Sequence, residues 1–390
     1  MSVRILIGDV RARLAELPDE SVHCVVTSPP YLGLRDYGIE PVIWGGDDGC
    51  AHEWGTGPKK KTDHVGTARW NHAVNGRGEE QPASKRVSEP QEILQGAFCR
   101  LCDAWRGSLG LEPTPDLYVE HLVAVFRAVR RVLRKDGTVW LNLGDSYAND
   151  SKWGGSTGGK HAGGLHGKTG IGRQKTSTGL KPKDLMMIPE RAALALQADG
   201  WWVRSRIIWA KPNPMPESVT DRPTSAHEHI WLLSKSARYF YDAEAAAEPA
   251  IKAGRVVHSY GTGAKDRLDI SEVNDRRTRI GLANWNKPVP ETKNLRNVWT
   301  IATAPYPDAH FATFPPALVE PCIKAGCPIG GTVLDPFGGA GTTGLVADRL
   351  QRDAILIEIK PEYAAMAGSR IRQAGPLLAA VETVDAGALP

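Results

Sequence analysis

Two separated motifs contain the side chains best suited to chemistry. Residues 335–344 read DPFGGAGTTG and link an apolar run to a helical pattern. Residues 27–31 read TSPPY and follow another apolar run far upstream. The first motif is typical of a turn that binds a nucleotide-like cofactor. The second suits a flat base that presents an amino group, so together they predict a cofactor-dependent reaction on a base.

The glycine-rich motif fits the spacing G-x-G-x-x-G at Gly339, Gly341 and Gly344. Glycines let the backbone approach a ligand closely, and the start of a helix presents free N–H groups. Glu358 ends the next apolar run, where an acid that binds ribose hydroxyls is expected. The alternatives are an ordinary strand–helix turn and the dinucleotide site of an NAD enzyme.

The order of elements disfavours the NAD enzyme. After Gly344 the sequence predicts only a helix, the strand that ends at Glu358 and one more helix. These elements are too few to complete a cofactor-binding half-sheet. The missing strands must come from the N-terminus, which makes the sheet circularly permuted. We therefore expect residues 4–9 to pair beside the Glu358 strand, and Asp9 to reach the adenine of the cofactor.

The proline-rich motif can activate an amino group. Exocyclic amino groups of cytosine and adenine are poor nucleophiles because the nitrogen lone pair is delocalised into the ring. Hydrogen-bond acceptors that favour a tetrahedral nitrogen can be supplied by the Ser28 hydroxyl and the Pro29 carbonyl. Pro29 and Pro30 fix φ and so aim the carbonyls, while Tyr31 offers a face to a base swung out of a duplex. An exposed polyproline ligand or a plain turn is the alternative.

Two short pairs of residues predict a metal site. The ligand pairs are Cys50 with His52, and Cys99 with Cys102. Cys-x-x-Cys is the usual half of a structural zinc site, and Cys-x-His is a less common partner. Buried or redox-active thiols are the alternative. The remaining cysteines lie in apolar contexts and are expected in the core.

Apolar patterning predicts alternating strands and helices, which is typical of a parallel sheet. The helix after residue 114 has Thr114 as its N-cap and Pro115 at its first position. We expect Gly137 to end that helix. Expected strands cover residues 4–7, 22–26, 138–143, 332–334 and 354–359, with an antiparallel hairpin at 202–209 and 229–234. Expected helices cover residues 10–17, 115–133, 185–198, 314–325, 342–350 and 361–373.

Bulk composition sets wider limits. The chain has 390 residues, of which 41% are hydrophobic, enough to bury a large core. The formal net charge of +4 is too small to indicate nucleic acid, although residues 59–61, 127–135 and 276–277 are locally basic. Six cysteines are too few for a disulfide scaffold, and no apolar run is long enough to span a bilayer. We expect a cytoplasmic protein.

With these motifs in this order, the chain resembles the beta-class amino DNA methyltransferases. In that family the catalytic motif precedes the target-recognition region, and the S-adenosylmethionine motif comes last. The resemblance covers nearly the whole chain outside residues 43–95. It implies an α/β, Rossmann-like, circularly permuted fold, with a mostly parallel sheet that ends in an antiparallel hairpin. A zinc-binding insertion would be added to that fold.

The resemblance implies transfer of a methyl group from S-adenosyl-L-methionine to the exocyclic amino group of a base flipped out of double-stranded DNA. The catalytic motif it implies consists of Ser28, Pro29, Pro30 and Tyr31. The cofactor-binding residues it implies are Asp9, Thr27, Phe311, Thr313, Phe314, Asp335, Pro336, Phe337, Gly339, Gly341, Thr342, Thr343 and Glu358. A homodimer and a cognate restriction enzyme are further expectations.

Family layout also divides the chain. Residues 1–42 and 103–241 form the catalytic half, and residues 298–390 form the S-adenosylmethionine-binding half. By the same layout, residues 43–102 would form the zinc insertion, and residues 149–183 would form a mobile Gly/Lys-rich loop. Residues 242–297 would be the candidate target-recognition region. Ser28 at the head of the motif favours cytosine N4, and adenine N6 stays open. An NAD-dependent oxidoreductase and a non-catalytic DNA-binding protein are the alternatives from other classes.

Overall fold

The computed structural model describes residues 1–34, 37–55, 98–148, 179–251, 253, 290–304, 314–374 and 380–385. Several predicted features lie outside these residues. They are Phe311, Thr313, most of the insertion with its basic residues 59–61, residues 149–178 of the Gly/Lys-rich loop, and residues 252 and 254–289 of the target-recognition region.

The described residues form thirteen strands and six helices. The strands are β1 Ser2–Ile7, β2 Val22–Thr27, β3 Val42–Trp44, β4 Trp105–Gly107, β5 Leu133–Leu143, β6 Trp202–Ala210, β7 His227–Ser234, β8 Glu248–Pro249, β9 Thr292–Lys293, β10 Val298–Thr300, β11 Thr332–Asp335, β12 Asp353–Glu358 and β13 Ala380–Val384. The helices are α1 Val10–Glu16, α2 Pro115–Val132, α3 Ile188–Ala198, α4 Pro316–Gly326, α5 Thr342–Arg349 and α6 Pro361–Ala374. None of the described helices has the length and apolar character needed to cross a bilayer.

Nine strands form one sheet in the order β10-β6-β7-β5-β2-β11-β12-β1-β13. Strand β7 runs antiparallel to its neighbours β5 and β6, and the other neighbouring pairs are parallel. Ile7 lies opposite Glu358, so the N-terminal strand completes the half of the sheet that carries the glycine-rich motif. The mostly parallel, permuted sheet predicted from the sequence is therefore confirmed.

Helices cover both faces of the sheet because its central strands are apolar on both sides. Successive strand residues point to opposite faces. In β2, Val25 packs into the apolar layer beneath α2 and α3, whereas Cys24 and Val26 pack into the layer beneath α4, α5 and α6. The sheet therefore lies between two hydrophobic cores, and the carboxyl ends of its parallel strands are left open for a functional site.

Some predicted boundaries were wrong. Helix α2 ends at Val132, and β5 starts at once because Leu133 pairs with Val22. Gly137 therefore lies inside a strand, where an added Cβ would come within 2.6 Å of the Leu133 side chain. Helix α3 starts at Ile188 rather than at residue 185, because the Met186 N–H donates to the Ser146 carbonyl at 2.9 Å.

Two sheet strands were not predicted. Strand β13 follows the last helix and pairs with β1, so the expectation that no strand follows α6 was wrong. Strand β10 pairs with β6 and extends the sheet one strand beyond the hairpin. Both strands lie at sheet edges and are short, which leaves little apolar pattern in the sequence.

Candidate functional site

The carboxyl ends of β1, β2, β11 and β12 open into a cavity of about 940 Å³. Tyr31 from the proline-rich motif and Gly339 from the glycine-rich motif both line it. Ligands of open α/β sheets lie in the crevice at these strand ends. The predicted site residues that line the cavity are Asp9, Ser28, Pro29, Pro30, Tyr31, Phe314, Asp335, Pro336, Phe337, Gly339, Thr342 and Glu358. Those that support it without lining it are Thr27, Gly341 and Thr343.

Asp335 joins the two motifs. Its buried carboxylate accepts hydrogen bonds from the Thr27 and Thr343 hydroxyls, each at 2.7 Å, and from the Phe337 N–H at 3.0 Å. Burial raises the pKa of Asp335 to about 6, although these three donors favour the charged form. The threonines therefore fasten the end of β2 to the start of the glycine-rich turn.

The glycines of the turn satisfy backbone requirements. Gly339 and Gly341 have φ values of +49° and +74°, in the left-handed region that side chains disfavour. A Cβ on Gly341 would also lie 2.7 Å from the Cβ of Ala367. The Gly339 N–H donates to Glu358 Oε2 at 2.8 Å. The turn thus fits closely against α6 and holds the Glu358 carboxylate at the cavity wall.

Three carboxylates, those of Asp9, Asp335 and Glu358, line the cavity near the glycine-rich turn. Glu358 also accepts from the Lys360 N–H at 2.9 Å, and burial raises the pKa of its carboxyl. Asp9 is the N-cap of α1 and accepts from the Arg11 N–H at 3.0 Å. With Asp335, these groups can accept hydrogen bonds from hydroxyls and attract a cationic ligand.

A directed hydrogen-bond chain starts in the proline-rich motif. The Ser28 hydroxyl donates to the Tyr31 hydroxyl at 3.1 Å, and the Tyr31 hydroxyl donates to Glu228 Oε2 at 2.8 Å. Glu228 also forms an ion pair with Lys211. Burial, with the nearby Glu228 charge, raises the pKa of Tyr31 well above its usual value, so the phenol stays protonated. Because Glu228 only accepts, the lone pairs of Ser28 are left for the cavity.

Asn142 holds the Tyr31 hydroxyl and the Glu228 carboxylate together. Its Nδ2 donates to the Tyr31 hydroxyl at 2.8 Å and to Glu228 Oε2 at 2.9 Å. Asn142 lines the cavity, although its Oδ1 is buried and has no hydrogen-bond partner among the described residues. An amide in this position fixes the Tyr31 hydroxyl relative to Glu228.

The sequence analysis assigned no individual role to Asn142, Lys211 or Glu228. The family resemblance implies only that residues 209–213 and 227–229 form a hairpin region behind the base pocket. All three residues line the cavity. Glu228 falls in a strand whose neighbour is β5, and this pairing places Asn142 opposite Ile230. The available sequence signal for these residues was a polar side chain close to apolar strand residues. Asn142 lies in LNL, and Glu228 lies in HEHIW.

The four predicted metal ligands come together. The ligand atoms of Cys50, His52, Cys99 and Cys102 all lie within 4.8 Å of one another. The Cys50 and Cys99 sulfurs are 3.8 Å apart, and Cys102 Sγ is 3.4 Å from His52 Nδ1. Ligands of a tetrahedral zinc ion with Zn–S bonds of about 2.3 Å are separated by similar distances. The donor set and its spacing therefore fit zinc.

This ligand cluster supports a wall of the cavity. Its four residues lie in the segment that connects β3 to β4, and these two strands pair antiparallel with each other. Trp44 of β3 lines the cavity, with the Arg11 guanidinium 4.1 Å from its ring centroid. The ring of Trp44 also stacks on His121, with centroids 4.7 Å apart. A folded insertion is thus needed for the wall beside Asp9.

Comparison with known proteins identifies the family. A family model described as DNA methylase, of the N6/N4 methyltransferase type, matches residues 22–369. The chain belongs to the N6/N4 DNA methylase family. This methylase is 38% identical to the Type II methyltransferase M.SmaI of Serratia marcescens, over 95% of this chain and 91% of that relative. It is 36% identical to M.XycI of Xanthomonas campestris pv. cyanopsidis, over 94% and 86% of the two chains.

A solved structure agrees with the fold. The methylase aligns with the PvuII DNA methyltransferase (cytosine-N4-specific) with a TM-score of 0.51 and 17% identity, covering 100% of this chain and 96% of that one. The fold, the enzyme class and the resemblance to amino DNA methyltransferases are therefore confirmed, and the NAD-dependent oxidoreductase is excluded. The role of each site residue stays a prediction.

Proposed function

We propose that this methylase transfers a methyl group from S-adenosyl-L-methionine to the N4 amino group of a cytosine flipped out of double-stranded DNA. The observation that carries the proposal is the directed chain from Ser28 through Tyr31 to Glu228. It leaves the Ser28 oxygen as an acceptor at the cavity surface. An exocyclic amino group is a donor that matches it.

Two hydrogens of an amino group require two acceptors. Ser28 Oγ and the Pro29 carbonyl, from two residues that line the cavity, would supply them. Hydrogen bonds to both N–H groups pull the nitrogen toward tetrahedral geometry and return its lone pair from the ring. The proline-rich motif is held for this task, because the Tyr118 hydroxyl donates to the Pro30 carbonyl at 2.8 Å. Catalysis then consists of activating and positioning the amino group.

Lys211 supports cytosine over adenine. Its ammonium group lines the cavity, bonds to Glu228 and lies 4.4 Å from the centroid of the Trp209 ring. An ammonium group has three hydrogens, so donors remain after the bond to Glu228. On its Watson–Crick edge cytosine offers two acceptors, N3 and O2, beside its amino group, whereas adenine offers one, N1, on that edge. Adenine N6 is the second candidate, since it presents the same amino donor.

The cofactor side fits S-adenosyl-L-methionine. When bound, the cofactor supplies an electrophilic methyl group on a sulfonium. Glu358 would accept from the ribose hydroxyls, and Asp335 would face the cationic part. Asp9 would reach the adenine beside the wall that carries Trp44. The glycine turn at Gly339 supports this assignment, because a side chain there would occupy space needed by the ligand.

We further propose that Cys50, His52, Cys99 and Cys102 bind one structural zinc ion. The mutual distances of the four ligand atoms support it. The backbone N–H groups of His52 and Leu101 each donate to a cysteine sulfur at 3.4 Å, which stabilises thiolates. Metal analysis of the purified protein should give one zinc per chain. Cys102→Ser should reduce that ratio, while Cys322→Ala, a buried cysteine outside the cluster, should not.

The decisive experiment is mass spectrometry of nucleosides from DNA of cells that express the methylase. N4-methyldeoxycytidine is expected, and Ser28→Ala should abolish it. N6-methyldeoxyadenosine would instead select the second candidate. Absence of both modified bases would reject the proposed function. The domain division, the homodimer, the companion restriction enzyme and the cytoplasmic location stay predictions.

A further inference from the structure

Glu228 ends a path along which a proton can leave the reacting amino group. The hydroxyls of Ser28 and Tyr31 lie between the cavity and the carboxylate, and each donates toward Glu228. Asn142 Nδ2 donates to the Tyr31 oxygen, so that oxygen already accepts from two sides and its own proton must point to Glu228. The polarity of the chain is thus fixed at both steps.

We propose that Glu228 is the terminal proton acceptor of methyl transfer, and this rests on the proposed function. The nitrogen lone pair forms the N–C bond while the C–S bond breaks, and its electrons stay on sulfur as a thioether. The surplus proton of the nitrogen passes to Ser28 Oγ. The Ser28 proton passes to the Tyr31 oxygen, and the Tyr31 proton passes to Glu228, which becomes a neutral carboxylic acid.

The surroundings of Glu228 suit this role. Lys211 pairs with its other oxygen and favours the carboxylate before reaction. Glu228 is about one-sixth exposed, with a side-chain accessibility of 16%, so bulk water can take up the proton afterwards. The charged and titratable groups near it are Lys211, Tyr31 and His229. The Glu228 carboxylate is therefore the basic end of a path whose other end is the amino group.

The test uses Glu228→Gln and Tyr31→Phe, alone and combined. A glutamine cannot take up the proton, and a phenylalanine interrupts the path while keeping the ring. Single-turnover transfer of a labelled methyl group to plasmid DNA is measured with the full-length protein at saturating cofactor. Each single variant should lose about 100-fold in rate. The double variant should be no slower than the worse single variant, because both changes break one path.

A conservative substitution separates proton transfer from a structural role. Glu228→Asp keeps a carboxylate and should recover at least part of the rate. The affinity for S-adenosyl-L-methionine should change by less than about 3-fold, because Glu228 lies on the base side. Glu244→Gln, an exposed change, should match the wild type.

Four results would overturn the path. They are an unchanged rate in Glu228→Gln, a Glu228→Asp rate no higher than that of Glu228→Gln, multiplicative losses in the double variant, or loss of folding in Glu228→Gln together with full activity of Tyr31→Phe. Failure of the proposed function looks different. In that case the wild-type protein itself transfers no methyl group to DNA.

Discussion

The Thr27 hydroxyl donates to the Asp335 carboxylate at 2.7 Å across 308 residues of chain. Thr343 donates to the other oxygen of the same carboxylate at 2.7 Å. The end of β2, which carries the proline-rich motif, is therefore bonded to the end of β11, which carries the glycine-rich motif. Under the proposed function, the positions of the base and the methyl donor relative to each other depend on this one buried carboxylate.

Thr27→Val should therefore destabilise the protein. The isosteric side chain removes one donor from a buried acceptor, which costs about 1–3 kcal/mol of unfolding free energy. Urea unfolding followed by tryptophan fluorescence measures it. Thr300→Val, at an exposed position of β10, is the matched control and should change the free energy by less than about 0.5 kcal/mol. Equal stability of the two variants would contradict the assigned role of the hydrogen bond.

Asp335 should make stability depend on pH in a defined direction. Its folded pKa of about 6 lies above the value in an unfolded chain, so the folded state holds the proton more tightly. The contribution of Asp335 to the free energy of unfolding should therefore be greatest below about pH 4 and fall as the pH rises to about 6, by about 3 kcal/mol in total. Asp335→Asn removes this titration, and groups shared by both proteins cancel in the comparison. The difference in unfolding free energy, wild type minus variant, should decrease between pH 4 and pH 7. A constant or rising difference would count against burial as the dominant cause.

Two glycines with the same backbone angle separate strain from crowding. Gly341 and Gly330 both have φ of +74°, but a Cβ on Gly330 meets no atom within 4 Å. Gly330→Ala should cost about 1 kcal/mol, the expense of the left-handed conformation. Gly341→Ala adds a contact with Ala367 at 2.7 Å and should cost about 1–3 kcal/mol more. Thermal unfolding of both variants tests this. Equal losses of stability would show that α6 shifts to accommodate the added methyl group without destabilising the protein.

Removal of the metal should weaken cofactor binding. The ligand cluster belongs to the segment that connects the paired strands β3 and β4, and Trp44 of β3 lines the cavity near Asp9. A chelator or Cys102→Ser should therefore reduce the affinity for S-adenosyl-L-methionine by about tenfold or more, corresponding to about 1.4 kcal/mol. Isothermal titration calorimetry measures it, with Cys322→Ala as the control. If the affinity for S-adenosyl-L-methionine were unchanged in a protein shown to be metal-free, the ligand cluster would not be needed to shape the cavity.

Local sequence patterns were sufficient to predict many of the helices and strands. Thr114 caps α2 as predicted, because Thr-Pro before an apolar stripe already defines a helix start; its hydroxyl accepts from the Leu117 N–H at 3.2 Å. The glycine turn and Glu358 were found because each lies at a strand end within one continuous stretch. The ligand cluster was predicted from spacing alone, and the four atoms do converge.

Residues whose roles depend on distant pairing were missed. Asn142 and Glu228 meet only because β5 and β7 pair antiparallel, which no local pattern specifies. Gly137 looked like a helix end, but its lack of a side chain is needed for close packing against Leu133. The hydrogen-bond direction that makes Ser28 an acceptor likewise requires three separate segments. Sequence therefore identified the motifs and not the network between them.

Strand β1 can form its sheet pairings only with strands that are synthesised much later. Strand β1 lies between β12 and β13, and the Ser2 N–H donates to Asp353 at 2.7 Å, 351 residues further along the chain. On the ribosome, the nascent polypeptide carries Ser28 and Tyr31 long before the strands that close the cofactor side have emerged. Such distant pairings form slowly. A growing chain is thus unable to form the complete crevice until β11 and β12 have been synthesised, and a product that terminates before β11 lacks half of it.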